Sequence, residues 1–118
     1  MKKIITLLMM AVSFLGAKAA TKAPAYPGGN EALQSYITEN IQYPAEAKEN
    51  GIEGVVSVTF TVKTDGTIGN IKINRPVDPD LESEAIRLVK GMPKWTPANN
   101  DGTPVEAQAE VEVPFTLE

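Results

Sequence analysis

The 118-residue chain holds 11 basic and 15 acidic residues, a net charge of −4, and has neither histidine nor cysteine. Without those two residue types there is no Ser-His or Cys-His nucleophile, no imidazole or thiolate metal ligand, no disulfide and no lipidated N-terminal cysteine. An acidic chain repels phosphate backbones and anionic lipid, which excludes nucleic acid and membrane surfaces as expected partners.

The chain opens with Lys2-Lys3, an apolar run from Ile4 to Leu15, and Ala17-Lys18-Ala19. That order of charge, apolar stretch and small residues is the pattern of a secretory signal peptide, with cleavage expected after Ala19. The run has 12 residues, whereas a membrane-spanning helix needs about 20, so a retained anchor is the alternative reading. Cleavage removes Lys2, Lys3 and Lys18, leaving 8 basic against 15 acidic residues and a net charge of −7 on residues 20–118. Those 99 residues suffice for one modest core and no second domain.

Residues Ala20 to Gly29 are small and rich in Pro and Gly, and read as a short tether before a domain at 30–118. Leu33, Tyr36, Ile37 and Ile41 follow at helical spacing behind a capping Asn30, predicting a helix over about 30–41. Pro44 suits the first position of a second helix, Ala45 to Asn50, with Gly51 as its left-handed stop.

Val56, Val58, Phe60 and Val62 alternate with Ser57, Thr59, Thr61 and Lys63, the pattern of a strand with one dry face and one wet face. Asp65-Gly66 favours a two-residue hairpin turn, because both central positions of that turn need positive φ. The resulting register opposes Phe60 to Ile71, Thr59 to Lys72 and Val58 to Ile73, and leaves Ile68 on the polar side opposite Lys63. Asp78-Pro79 then opens a third helix as cap and first position, with Leu81, Ala85, Leu88, Val89 and Met92 as its apolar stripe until Gly91 and Pro93. Ala107, Ala109, Val111, Val113, Phe115 and Leu117 alternate with polar residues in a last strand. The expected fold is therefore α+β and two-layered, a three-stranded antiparallel sheet with helices packed on one face.

Trp95, the single tryptophan, lies in the turn-rich stretch Pro93 to Val105. It either packs into the seam between helix and sheet or is displayed to grip a ligand; large aromatics contribute so much to small cores that the first reading leads. The carboxylates of Asp78, Asp80, Glu82 and Glu84 lie at a helix N-terminus, where they cap and complement the dipole, and they lack the ordered glycine-centred loop of a calcium site. Gly28-Gly29 has neither the preceding strand nor the following Lys of a phosphate loop. Ser35, Ser57 and Ser83 have no base nearby in sequence. Neither catalysis, a metal, a cofactor nor a small-molecule substrate is expected.

What remains is a surface. Pro114 cannot donate a ladder hydrogen bond, which places the last strand at a sheet edge. Such an edge is either protected against aggregation by Glu106, Glu110, Glu112 and Glu118, or it accepts another chain by strand addition.

The order Tyr43-Pro44, Gly51, Gly54 to Val62, Asp65-Gly66, the helix Leu81 to Val89, Trp95-Thr96-Pro97-Ala98, Gly102-Thr103-Pro104-Val105 and Val113 to Leu117 resembles the TonB C-terminal domain family over nearly all of residues 30–118. Tyr26-Pro27-Gly28-Gly29 with Leu33, Tyr36 and Ile37 looks like the variant with an extra N-terminal helix. The resemblance implies a periplasmic module that takes up the N-terminal "TonB box" of an outer-membrane TonB-dependent receptor as an added strand. Its partner-binding residues would be Val111, Glu112, Val113, Pro114 and Phe115, with Tyr43, Pro44, Asp65, Gly66, Trp95 and Pro97 as structural signatures. The chain departs from a full transducer in its short apolar run and in a tether of about ten residues, which reaches ~35 Å at ~3.3 Å per residue. Self-pairing of the edge into a homodimer is the alternative, as is a membrane-anchored transducer should the apolar run be retained.

Overall fold

The computed structural model describes the backbone of residues 12–15 and all of residues 21–117. The elements are β1 (Val12–Leu15), α1 (Asn30–Asn40), α2 (Ala45–Glu49), β2 (Gly54–Val62), β3 (Ile68–Arg75), α3 (Pro79–Lys90), β4 (Ala98–Asn100), β5 (Thr103–Val105) and β6 (Ala107–Phe115). The predicted cleavage site after Ala19 lies outside the described residues, as does the leader apart from β1.

Strands β2, β3 and β6 form the expected three-stranded antiparallel sheet with β2 in the middle, and β1 adds a fourth strand in the order β1-β6-β2-β3. The alternation seen in the sequence becomes burial: Val56, Val58, Phe60 and Val62 of β2 and Ala109, Val111, Val113 and Phe115 of β6 are fully buried. Leu33 and Ile37 of α1, Ala47 of α2, and Leu81, Ala85, Leu88 and Val89 of α3 close over this face as one core. Removing such side chains from water is the main favourable term in folding. On the other face of β2, Ser57 and Thr61 are also buried, because a central strand is shielded on both sides. Ser57 Oγ and Asn74 Nδ2 both donate to Glu110 Oε2, so the wet face is stitched across three strands.

Helix starts differ from expectation by one residue. Gly29, at φ 89°, is the N-cap of α1 and Asn30 its first residue, and Pro44 caps α2 rather than entering it. Gly51 stops α2 at φ 68°, the left-handed stop expected. Asp78 caps α3, its Oδ2 accepting from the amides of Asp80 at 3.0 Å and Leu81 at 3.2 Å, with Pro79 behind it. Asp78 is thus the cap of α3, and Asp80 and Glu82 add negative charge in its first turn near the exposed helical N–H groups.

The hairpin between β2 and β3 corrects two expectations. Its turn takes three residues: the Gly66 amide donates to the Lys63 carbonyl at 2.8 Å, and the Lys63 amide donates to the Thr67 carbonyl at 2.9 Å. Only Gly66 has positive φ there, at 88°. This puts Ile68 opposite Val62 instead of Lys63, and Ile68 packs against the core. A register shift follows between Thr59 and Thr61, where Asn70 adopts φ 50°, and beyond it Thr59 opposes Lys72 and Val58 opposes Ile73 as predicted. The turn takes Thr64 from one strand and the bulge takes Asn70 from the other, so the register is restored deeper in the hairpin.

The two-residue hairpin with both central residues at positive φ occurs elsewhere, at Asp101 (φ 54°) and Gly102 (φ 89°), joining β4 to β5. Trp95 leads into it, 2 % exposed, and its ring meets Tyr26 edge-on at 5.7 Å and Phe60 at 5.2 Å. Its backbone amide donates to the Gly66 carbonyl at 2.9 Å. Residues 21–29 are consequently not a tether. Lys22 bridges Asn99, Ala25 bridges Thr96, and Tyr26 is 8 % exposed in the core. A large ring available to cover Trp95 outweighs the loop character of its Pro and Gly neighbours.

Trp95→Ala should lower unfolding stability by ~3–5 kcal/mol, measured by urea denaturation. Gly66 and Gly102 separate backbone strain from packing. A methyl group at Gly66 would collide with the Trp95 carbonyl oxygen, whereas one at Gly102 meets nothing within 4 Å. Gly102→Ala should therefore cost about 1 kcal/mol, and Gly66→Ala about 3 kcal/mol or more; equal losses would show that the hairpin tip does not depend on its seat against Trp95.

Candidate functional site: the outer edge of the last strand

β6 pairs along its whole length with β2, from Val62 opposite Ala107 to Gly54 opposite Phe115. Its other edge is covered in part. β1 lies antiparallel there, with Val12 opposite Val111, Ser13 opposite Glu110, Phe14 opposite Ala109 and Leu15 opposite Gln108. Among the described residues no strand pairs with the outer edge from Glu112 to Phe115. An antiparallel strand directs alternate residues' N–H and C=O groups to opposite sides, so the uncovered stretch presents backbone groups outward.

The five residues expected to bind a partner divide by burial. Val111, Val113 and Phe115 are fully buried and point into the core, so they offer a newcomer main chain only. Glu112 is exposed and Pro114 half-buried on the wet face, where Pro114 stands opposite Val55, itself 40 % exposed. The strand that does occupy the edge sits at Gln108 to Val111 and overlaps the expected stretch at Val111 alone. Within the uncovered stretch Pro114 has no N–H to give. A signal for this acceptor stretch existed in the sequence, since Val12 and Phe14 alternate with Ser13 inside the apolar run.

The other singled-out residues support this strand rather than line it. Tyr43 lies edge-on to Phe115 at 5.6 Å, and its hydroxyl donates to the Ile52 carbonyl. Burial, followed by the carboxylates of Glu53 and Asp78, pushes the Tyr43 phenol up, which keeps that donor protonated. Pro44 caps α2 beside it, and Pro97 is half-buried between Trp95 and β4. At the hairpin tip, Asp65 Oδ1 accepts from the Thr67 hydroxyl at 2.7 Å and amide at 3.0 Å. Those two bonds hold its carboxyl below the ordinary value.

Glu84, grouped in the sequence with the capping carboxylates of α3, has a different role. It is 8 % exposed and takes a bidentate grip from Arg87, at 2.7 Å on each oxygen, and the Gln42 amide at 2.6 Å. Arg87 Nη2 also donates to the Asn40 carbonyl at 2.9 Å. The pair therefore fastens the α1–α2 connection, and with it Tyr43, onto α3. An open cleft of about 460 Å³ beside it is lined by Gln42, Tyr43, Pro44, Asp80, Ser83 and Arg87 among others. Its buried carboxylate is already saturated by donors.

Residues 39–117 match the family model for the Gram-negative bacterial TonB protein C-terminal. The chain belongs to that family. Over 72 residues it is 38 % identical to proteins named "Protein TonB" from two Helicobacter pylori strains, J99 and 26695, a match covering 57 % of this chain. It spans about a quarter of the length of those relatives, 26 % and 25 %. The solution NMR structure of the Helicobacter pylori TonB C-terminal domain superposes with a TM-score of 0.56 at 24 % identity, over 73 % of this chain and 78 % of that one. The likeness in architecture confirms a TonB C-terminal fold, with helices packed on an antiparallel sheet.

By side-chain NMR, the Asp65 carboxyl should titrate below its ordinary 3.8. Thr67→Val, which removes the hydroxyl donor and keeps the amide, should bring the midpoint part of the way back. Because the folded pKa is the depressed one, this hydrogen bond stabilises the hairpin above the unfolded value and is lost as pH falls through the folded value. An unchanged midpoint in Thr67→Val would remove the hydroxyl as its cause.

Proposed function

We propose that this protein is a periplasmic TonB-like binding module that serves TonB-dependent transport across the outer membrane, capturing an extended segment of a receptor by strand addition to β6. The observation that carries the reading is the antiparallel strand seated on the outer edge of β6. An edge that accepts four residues in register with full main-chain pairing has the geometry that strand addition requires. Membership of the TonB C-terminal family supports the receptor as the source of the segment. The module performs no covalent chemistry; affinity comes from backbone hydrogen bonds supplied by β6.

The test is an amide NMR titration of the exported protein with peptides copied from receptor N-termini of the source organism. Shifts should concentrate along Gln108 to Phe115 and spare the α3 amides. Absence of shifts, with those edge amides already slow to exchange in a concentration-dependent way, would replace receptor capture by self-pairing into a homodimer.

A further inference from the structure

The occupant of the β6 edge is a segment of this chain. We infer that Val12–Leu15 caps the strand-accepting edge in the unprocessed protein, and that removing the leader uncovers it; this rests on the reading of β6 as the receptor-binding strand. Four observations converge on it. The pairing is antiparallel and continuous over four residues, from Val12 with Val111 to Leu15 with Gln108. Its register is not arbitrary: Val12 and Phe14 fall opposite Val111 and Ala109, both of the buried face, while Ser13 falls opposite Glu110 of the wet face. Val, Phe and Leu suit a pleated strand, and although Leu15 stands opposite Gln108, a slip by one residue would take Val12, Ser13 and Phe14 all out of like-with-like pairing. Finally, five residues, 16–20, separate Leu15 from Thr21, which is hydrogen-bonded to the Asn99 carbonyl at 2.7 Å.

That short connection gives the cap its strength. A segment tied so close to its acceptor acts at about millimolar effective concentration, so a free peptide that pairs with the same edge competes poorly until the tie is cut. Cleavage after Ala19 detaches β1 and leaves Gln108 to Val111 with outward N–H and C=O groups. Before export the same cap denies the edge to other copies of the chain, which is the hazard an open strand carries.

Hydrogen exchange reads the cap directly. Of Gln108, Ala109, Glu110 and Val111, the two amides that face away from β2 depend on β1 for protection, while the other two are held by β2 in either state. In the unprocessed full chain those two should exchange about tenfold or more slowly than in its Ser13→Pro/Phe14→Pro variant, as expected when a strand tethered at millimolar effective concentration is lost. The near-UV signal of Trp95, distant in sequence from both prolines, shows that the variant is folded. Equal exchange in the two folded chains overturns the cap. Receptor N-terminal peptides separate this from the function it rests on. Peptide shifts on the double-proline chain and none on the intact one support both; equal shifts on both keep receptor capture and overturn the cap. Slow exchange in the intact chain alone, with no peptide bound by either, keeps the cap and overturns receptor capture.

Discussion

Trp95 is where the structure is tied together. Its ring is pressed edge-on between Phe60 of the central strand and Tyr26 of the N-terminal segment, and its backbone amide receives the tip of the β2–β3 hairpin through the Gly66 carbonyl. Its indole nitrogen has no hydrogen-bond acceptor among the described residues, so the ring acts through packing alone. Tyr26 of the N-terminal segment, the β2–β3 hairpin tip and β2 thereby meet at one residue, the first and last through its ring and the tip through its backbone. A core this small has few large rings, and setting two of them against Trp95 supplies much of the non-local order that the sheet then extends.

From that junction the sheet runs toward its other end, where Tyr43 against Phe115 repeats the device on a smaller scale. Between the two aromatic contacts, β6 is held from behind by β2 at every residue and from below by the core. The strand pairs with β2 without a bulge, and its inward side chains are packed in the core. The Glu84–Arg87 pair fastens the Tyr43 connection to α3, with the buried carboxylate compensated by three donors.

The parts of this architecture that were legible in the sequence are those with a short period and a local cause. The alternation of Val56 to Val62 and of Ala107 to Phe115 announced two strands and their buried faces, and Asp78-Pro79 announced the start of α3. The parts that were not legible depend on partners far along the chain. Asp65-Gly66 and Asp101-Gly102 carry the same dipeptide, yet one closes a three-residue turn and the other a two-residue turn. The first is seated against Trp95 and the second is free of such a constraint, a difference that a dipeptide cannot encode. Residues 21–29 have a loop's composition and are drawn into the fold by Tyr26. That β1 would pair with Gln108 to Val111 was not legible either, because Pro114 marks the edge in the sequence without marking which part of it a strand covers.

The buried side chains of β6 also set how the edge can change over generations. Val111, Val113 and Phe115 are wholly part of the core, so a substitution there alters folding first. Any strand seated on the outer edge meets a ladder of peptide groups that is the same whatever the side chains behind it. Were the edge to bind by strand addition as proposed, selectivity and drift would fall to the wet-face positions, Gln108, Glu110, Glu112 and Pro114, of which Glu110 is already committed to Ser57 and Asn74. Under the proposed strand addition, a change of partner would fall to the three remaining surface residues and leave the core as it is.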